Sequence, residues 1–201
     1  HDRIAGVPPS DAVLSAMEAD IAAGRTQQAA LRAMDDPAFY AVTLKNLVTP
    51  WTNRDQTVFA PLNDYTATVI GMVRDDVPFN QLLSGDILYV GNAGLGLPAV
   101  SASDNTHYDQ LESRGIDLRT GLQRTTQSAA YGIPAAATAG VLTSRAAAQS
   151  FFIAGTNRAM FRFTMLNHLC RNLEQVHDTT RPPDRIRQDV SRSPGGDARL
   201  F

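Results

Sequence analysis

Apolar residues recur every three or four positions along most of this chain, a spacing that places them on one face of an α-helix. The clearest example lies between Asn157 and Gln175. Its stripe consists of Met160, Phe163, Leu166, Cys170 and Leu173, and it is widened by Phe161, Met165 and Leu169. The pattern predicts a long amphipathic helix over this segment and an all-α fold class.

Residues that favour helix ends divide the rest of the chain into shorter helices. The expected N-caps are Ser10, Asp36, Asp104 or Asn105, and Thr143 or Ser144. Gly24 and Pro50 are expected to end the first and third helices. The predicted helices lie within residues 10–24, 26–34, 36–50, 57–74, 79–83, 104–115 and 145–154.

Two segments rich in glycine predict irregular structure. Residues 84–103 contain Gly85, Gly91, Gly94, Gly96 and Pro98. We expect a long loop there, with at most one short strand. Residues 116–142 are rich in alanine and interrupted by glycine and proline, which predicts packed loops with short turns. Residues 1–178 are therefore interpreted as a single irregular helical domain, with a candidate internal boundary near 84–103.

Positive and negative charges are distributed unevenly. Residues 1–144 carry nine basic and fifteen acidic side chains, whereas residues 145–201 carry nine arginines and five acids. Because guanidinium groups pair well with carboxylates, we expect the basic end to contact an acidic partner protein or the acidic half of the chain. The predicted contact residues are Arg181, Arg185, Arg187 and Arg192. Nucleic acid is not expected as a partner, since Asp184, Asp189 and Asp197 are interspersed among these arginines.

Residues 179–201 combine arginine with proline, serine and glycine, which predicts an extended surface segment. Such a segment gains order only through contacts with a neighbour. We expect it to lie against another chain or against residues 1–144, and it would connect to any further domain beyond Phe201. The first residue is His1, which leads us to expect a mature or partial chain from which a leader or another segment has been removed.

The single cysteine excludes several kinds of site. Internal disulfides, zinc ribbons, iron–sulfur ferredoxin sites and a C-x-x-C-H haem attachment each need at least two cysteines, and the chain contains only Cys170. Because Cys170 falls on the apolar stripe, we expect it to pack in the core as a small hydrophobic residue. No run of apolar residues is long enough for a membrane-spanning helix.

Four histidines are the candidate ligands. His168 and His177 are separated by about 900° of helical rotation, so they cannot bind one metal ion together, and His168 is expected to be a polar residue at the edge of its helix. His1 could bind copper through its terminal amine and ring if His107 supplied a third nitrogen. The helical pattern disfavours such a clamp, which usually belongs to β-sandwich scaffolds. We expect no cofactor in this chain, and retain His107, His168 and His177 as candidate haem ligands.

Several short strings together resemble one protein family. They are Met72 to Asp86, Gly140 to Ser144, the Phe163 to Leu173 helix with its Leu-Cys pair, and Asp184 to Arg187. They resemble a set of exported bacterial proteins, found in planctomycetes and proteobacteria, whose helical modules accompany a c-type cytochrome domain. The resemblance covers roughly residues 57–201. It implies a periplasmic or extracellular location and a haem on an adjoining domain or partner chain, because this sequence has no C-x-x-C-H; it assigns no catalytic residue.

The leading hypothesis is an extracytoplasmic helical scaffold or docking module that contacts a haem protein or another subunit and is not itself catalytic. Its expected contact surfaces are the basic region 145–199 and the loop 84–103. One alternative is a redox enzyme component completed by haem or metal, with His107, His168 or His177 as ligands. Another is a structural subunit of an extracellular assembly.

Overall fold

The computed structural model describes residues 1–152, 158–172 and 175, and these are mostly helical. The α-helices in this part of the chain are α1 (Asp2–Ala5), α2 (Asp11–Ala22), α3 (Thr26–Met34), α4 (Lys45–Val48), α5 (Asp64–Arg74), α6 (Thr106–Ser113), α7 (Leu118–Gly121), α8 (Gln127–Tyr131), α9 (Arg145–Phe151) and α10 (Arg158–Leu169). A π-helix spans Phe39–Leu44, and 3-10 helices span Thr49–Thr52, Phe79–Leu83, Ala93–Leu95 and Ala135–Ala137. None of the described helices is long and apolar enough to cross a membrane.

A two-stranded antiparallel sheet shows that the all-α prediction is too narrow. Strand β1 (Leu88–Gly91) is the short strand expected within the 84–103 segment, and it pairs with β2 (Leu122–Thr125). The prediction of packed loops over 116–142 missed β2. Its sequence, Leu-Gln-Arg-Thr, has one buried apolar residue, so no period-two pattern was available to reveal a strand. Pairing with the fully buried β1 determines its conformation.

Side-chain caps fix several helix starts where the sequence placed them. The Ser10 hydroxyl accepts from the backbone N–H of Val13 at 3.4 Å, and the Ser144 hydroxyl accepts from Ala147 N–H at 3.2 Å. The helix predicted over 57–74 begins later, at α5, because Asn63 caps it by accepting from Thr66 N–H at 3.0 Å. The preceding residues form turns instead.

The helix predicted over 36–50 contains three kinds of helical turn. The π-helix is followed by α4 and then by the 3-10 helix Thr49–Thr52. Pro50 does not end the helical path, because it lies in the first turn of the 3-10 helix, where the fixed φ of proline is compatible with a helical backbone. Asp36 begins this region as expected, and its carboxylate accepts from Ala38 N–H at 2.8 Å.

Helix α5 is the centre of the core. Every residue from Asp64 to Met72 is buried, and the helix contacts α4, α7, α9 and both strands. Gly71 permits the closest of these contacts, because a Cβ at this position would lie 2.1 Å from the ring of Tyr89 on β1. The β1 strand therefore packs directly on the α5 backbone.

Helix α10 is shorter than the predicted 157–175 helix. It ends at Leu169 because Cys170 adopts left-handed backbone geometry, with φ of 52°, and Arg171 N–H then donates to Met165 C=O at 3.0 Å. This hydrogen bond reaches back over six residues and closes the C-terminus of the helix. Cys170 is consequently exposed, so its predicted core position is wrong. The expected break at Gly155 and the stripe residue Leu173 lie outside the described residues.

A buried carboxylate, Asp64, joins α5 to α8 and α9. Its side chain is fully buried and accepts four hydrogen bonds. Two come from backbone N–H groups at the start of α9, those of Arg145 at 2.6 Å and Ala146 at 3.0 Å; the others come from the Tyr131 hydroxyl at 2.9 Å and Tyr65 N–H at 3.0 Å. Hydrogen bonds to a charged acceptor are stronger than neutral ones, so this contact fixes α9 on α5.

Replacement of this carboxylate tests its role. We expect Asp64→Asn to lower the free energy of unfolding by about 3 kcal/mol, because the new amide NH₂ faces donors and leaves one of them buried without an acceptor. Urea unfolding followed by circular dichroism measures the loss. The exposed Asp55→Asn is the matched control and should change stability little; equal stability of both variants would contradict the assignment.

Candidate functional site

Helix α10 carries apolar side chains on two sides. On its inner side, Ala159, Met160 and Phe163 are buried, and Phe163 stacks on Phe151 of α9 with ring centroids 4.8 Å apart. The other apolar residues of the helix form a separate row. Phe161, Met165 and Leu169 follow one another at intervals of four, which places them along one line of the helix surface. We call these three residues the outer stripe.

The outer stripe faces solvent in the described structure. Phe161 is 58% exposed and Leu169 is 56% exposed, while Met165 is half-buried. The sequence predicted that these residues widen a buried stripe, and for Phe161 and Leu169 that prediction is wrong. The reason is that α9 covers only one side of α10, and no other described element lies on the outer stripe closely enough to bury it.

The chain segment that carries the outer stripe is basic. Arg158 and Arg162 lie on α10 and Arg171 follows it, whereas residues 158–172 contain no acid. The Arg162 guanidinium lies 5.0 Å from the centroid of the Phe163 ring, so its charge is held against the helix. The result is a combination of apolar and cationic groups on one short helix.

The C-terminal end of α10 is fastened to the core by an aromatic cluster. Asn167 donates to the backbone carbonyl of Trp51 at 3.1 Å, and the rings of Trp51 and His168 meet edge to face at 5.7 Å. The Nε2 atom of His168 lies 2.7 Å from the hydroxyl of Tyr65, a fully buried residue of α5. His168 thus connects the helix to the core, which is more than the edge position predicted for it.

Burial sets the protonation of this pair. Loss of solvent raises the pKa of the Tyr65 hydroxyl and lowers the pKa of the His168 imidazole. Both groups are therefore neutral at neutral pH and share one hydrogen bond. The structure describes no hydrogen bond to the Nδ1 atom of His168. Such a neutral pair orients α10 on the core.

The other described histidines hold local structure. His107 is buried, with Nε2 accepting from Gly91 N–H at 2.9 Å and Nδ1 donating to the Pro98 carbonyl at 2.7 Å, so its ring fastens α6 to the chain after β1. His1 donates from Nδ1 to the Val7 carbonyl at 2.7 Å, and its Nε2 lies 3.6 Å from Asp36. In the described part of the chain, no group of three His, Cys, Asp or Glu side chains is placed to hold a metal ion.

Several predicted contact residues cannot be placed. His177, Arg181, Arg185, Arg187 and Arg192 lie outside the described residues, as does the predicted extended segment 179–201. Of the loop 84–103, the strand β1 is buried in the fold and offers no contact surface. Sequence reasoning missed the roles of Trp51 and Tyr65. The available signal was that Trp51 is the only tryptophan in the chain.

No protein-family model, curated protein or solved structure matches this chain.

The His168 contact predicts a pH dependence. Because the folded-state pKa of His168 is lowered, the folded protein binds fewer protons than the unfolded chain, and His168 should make stability fall as pH decreases below about 6.5, its unfolded value. We expect the stability advantage of the wild type over His168→Gln to be largest near pH 7.5 and to narrow towards pH 5. Urea unfolding at several pH values measures it. The exposed Cys170→Ser should show a constant difference from wild type over that range; a widening gap for His168→Gln would contradict the assignment.

Proposed function

We propose that this chain is an extracytoplasmic helical docking module that binds a c-type haem protein or haem domain through the outer stripe of α10 and is not itself catalytic. The observation that carries the proposal is the outer stripe itself. A helix with apolar residues on opposite sides is favoured when both sides are covered, and here α9 covers only the inner one.

The charge of α10 favours an acidic partner surface. The segment that carries the stripe contains Arg158, Arg162 and Arg171 and has no acid between residues 158 and 172. A partner with carboxylates around an apolar contact patch would complement this basic segment, of which Arg171 is exposed, and cover the stripe at the same time. Charge complementarity of this kind speeds association and makes it sensitive to salt.

Two parts of the proposal rest on the family resemblance of residues 57–201. They are that the partner carries c-type haem and that the chain is extracytoplasmic. Proteins of that family pair a helical module with a c-type cytochrome domain. This sequence has no C-x-x-C-H, so haem of that class would be supplied by a partner or an adjoining domain. The aromatic cluster favours docking because Trp51, Tyr65 and His168 hold the end of α10 in one position. Less conformational entropy is then lost when a partner binds.

Titration with purified c-type cytochromes tests the proposal. We expect an acidic c-type cytochrome to bind with a Kd in the micromolar range and to quench the fluorescence of Trp51, and a basic one to bind more weakly. Raising the salt concentration should weaken the interaction. Isothermal titration calorimetry provides a second measurement that does not depend on haem absorption.

Two substitutions separate docking at α10 from nonspecific attraction. Phe161→Ser and Leu169→Ser should each weaken binding about tenfold, the usual effect of truncating a central apolar contact. Phe79→Ser is the control, since Phe79 is 50% exposed and belongs to a different helix. Equal effects of all three, or no binding of any c-type cytochrome, would disprove the docking proposal. A Soret band in the purified chain alone would instead indicate that its own histidines bind haem.

A further inference from the structure

A cavity of about 460 Å³ lies between the π-helix Phe39–Leu44, the chain before α5, and helices α6 and α7. Cavities of about 300–1,000 Å³ are typical of small-molecule sites. Its walls are mainly apolar and include Val42, Leu62, Leu111, Ile116 and Leu118. Because Leu62, Leu111 and Leu118 also belong to the core, the inner wall of the cavity is formed by well-packed side chains.

The polar side of the cavity contains the only lysine of the chain, Lys45; the other seventeen basic residues are arginines. Lys45 follows the π-helix, and its side chain is only 18% exposed. Its ammonium donates to one oxygen of Glu112, whose other oxygen accepts from Leu62 N–H at 2.8 Å. Glu112 is thus fixed by the backbone and pairs with Lys45, and both residues line the cavity.

Among the charged side chains that line this cavity, Lys45 is the one with N–H donors available for a ligand. An ammonium has three N–H donors, and the described residues accept one of them, at Glu112. The acids of the lining are already engaged: Glu112 as above, and Asp117 by Arg119 N–H at 2.8 Å and the Thr120 hydroxyl at 3.2 Å. A ligand in this cavity would therefore find Lys45 in the lining as a hydrogen-bond donor.

We propose that this cavity binds a small amphipathic monocarboxylate, with its hydrocarbon body among the leucine, isoleucine and valine side chains and its carboxylate on Lys45. A body of about ten carbon atoms suits a cavity of this size. A single negative charge suits this lining better than a dianion such as a phosphate monoester, because the repulsion from Glu112 and Asp117 grows with the charge of the ligand. The site is independent of the docking function proposed for α10.

Calorimetric titration with decanoate, below its micelle concentration, tests the proposal directly. We expect micromolar binding of decanoate and at least tenfold weaker binding of decylamine, which has the same chain and the opposite charge. No binding of decanoate, or binding of decylamine as tight as that of decanoate, would overturn the proposal.

Variants at the polar end test the role of Lys45. Lys45→Met keeps the apolar stem and removes the ammonium, and it should weaken decanoate binding about tenfold. Glu112→Gln can still accept from Leu62 N–H and removes the competing carboxylate, so decanoate should bind equally or more tightly. Weaker binding by Glu112→Gln in a protein with unchanged thermal unfolding would contradict the assigned geometry.

A matched pair of alanines tests the location. Ala41 is exposed and lines this cavity, so Ala41→Phe should fill it and abolish binding with little effect on the core. Ala129 is likewise exposed and lines a second cavity of about 300 Å³ beside His107. Ala129→Phe should leave decanoate binding unchanged. Loss of binding in Ala129→Phe, or its survival in Ala41→Phe, would overturn the assignment.

Discussion

The buried carboxylate of Asp64 is the contact on which the arrangement of the other elements depends. An ionised group without water is tolerated only when hydrogen bonds replace its hydration, and four donors from α5, α8 and α9 do so here. The position of α9 follows from two of these bonds. Helix α10 then packs on α9 through Phe151 and Phe163, so the place of the outer stripe on the surface follows indirectly from Asp64.

The four residues at the start of α5 each connect to a different part of the fold. The backbone of Leu62 binds Glu112 and Asn105 around α6, and Asn63 donates to the Thr52 hydroxyl at 3.1 Å. Asp64 holds α8 and α9, and Tyr65 meets His168 of α10. Leu62 lines the cavity and Tyr65 supports α10, so the two proposed binding surfaces share one rigid base while lying on different elements.

Local sequence signals predicted those features that local chemistry controls. Ser10 and Ser144 cap helices where expected, and α3 has the predicted limits, because a cap or a run of strong helix formers acts over a few residues. The same signals misplaced the start of α5 and the end of α10. At those points the Asn63 cap and the left-handed Cys170 set the helix limits, whereas the apolar spacing predicted a start at Thr57 and an end at Gln175.

The candidate site was only partly predictable for a similar reason. The sequence by itself determined three features. The fold is helix-rich, the chain has no internal disulfide or metal site that needs two or more cysteines, and the segment after residue 144 is basic. These features follow from composition and from the spacing of apolar residues. Tertiary structure alone decided that β2 pairs with β1, that Phe161 and Leu169 face outward, and that Lys45 stands beside Glu112 at a cavity. Those features depend on residues tens of positions apart. Hydrophobic periodicity specifies that a face is apolar, and only packing specifies whether another element covers it.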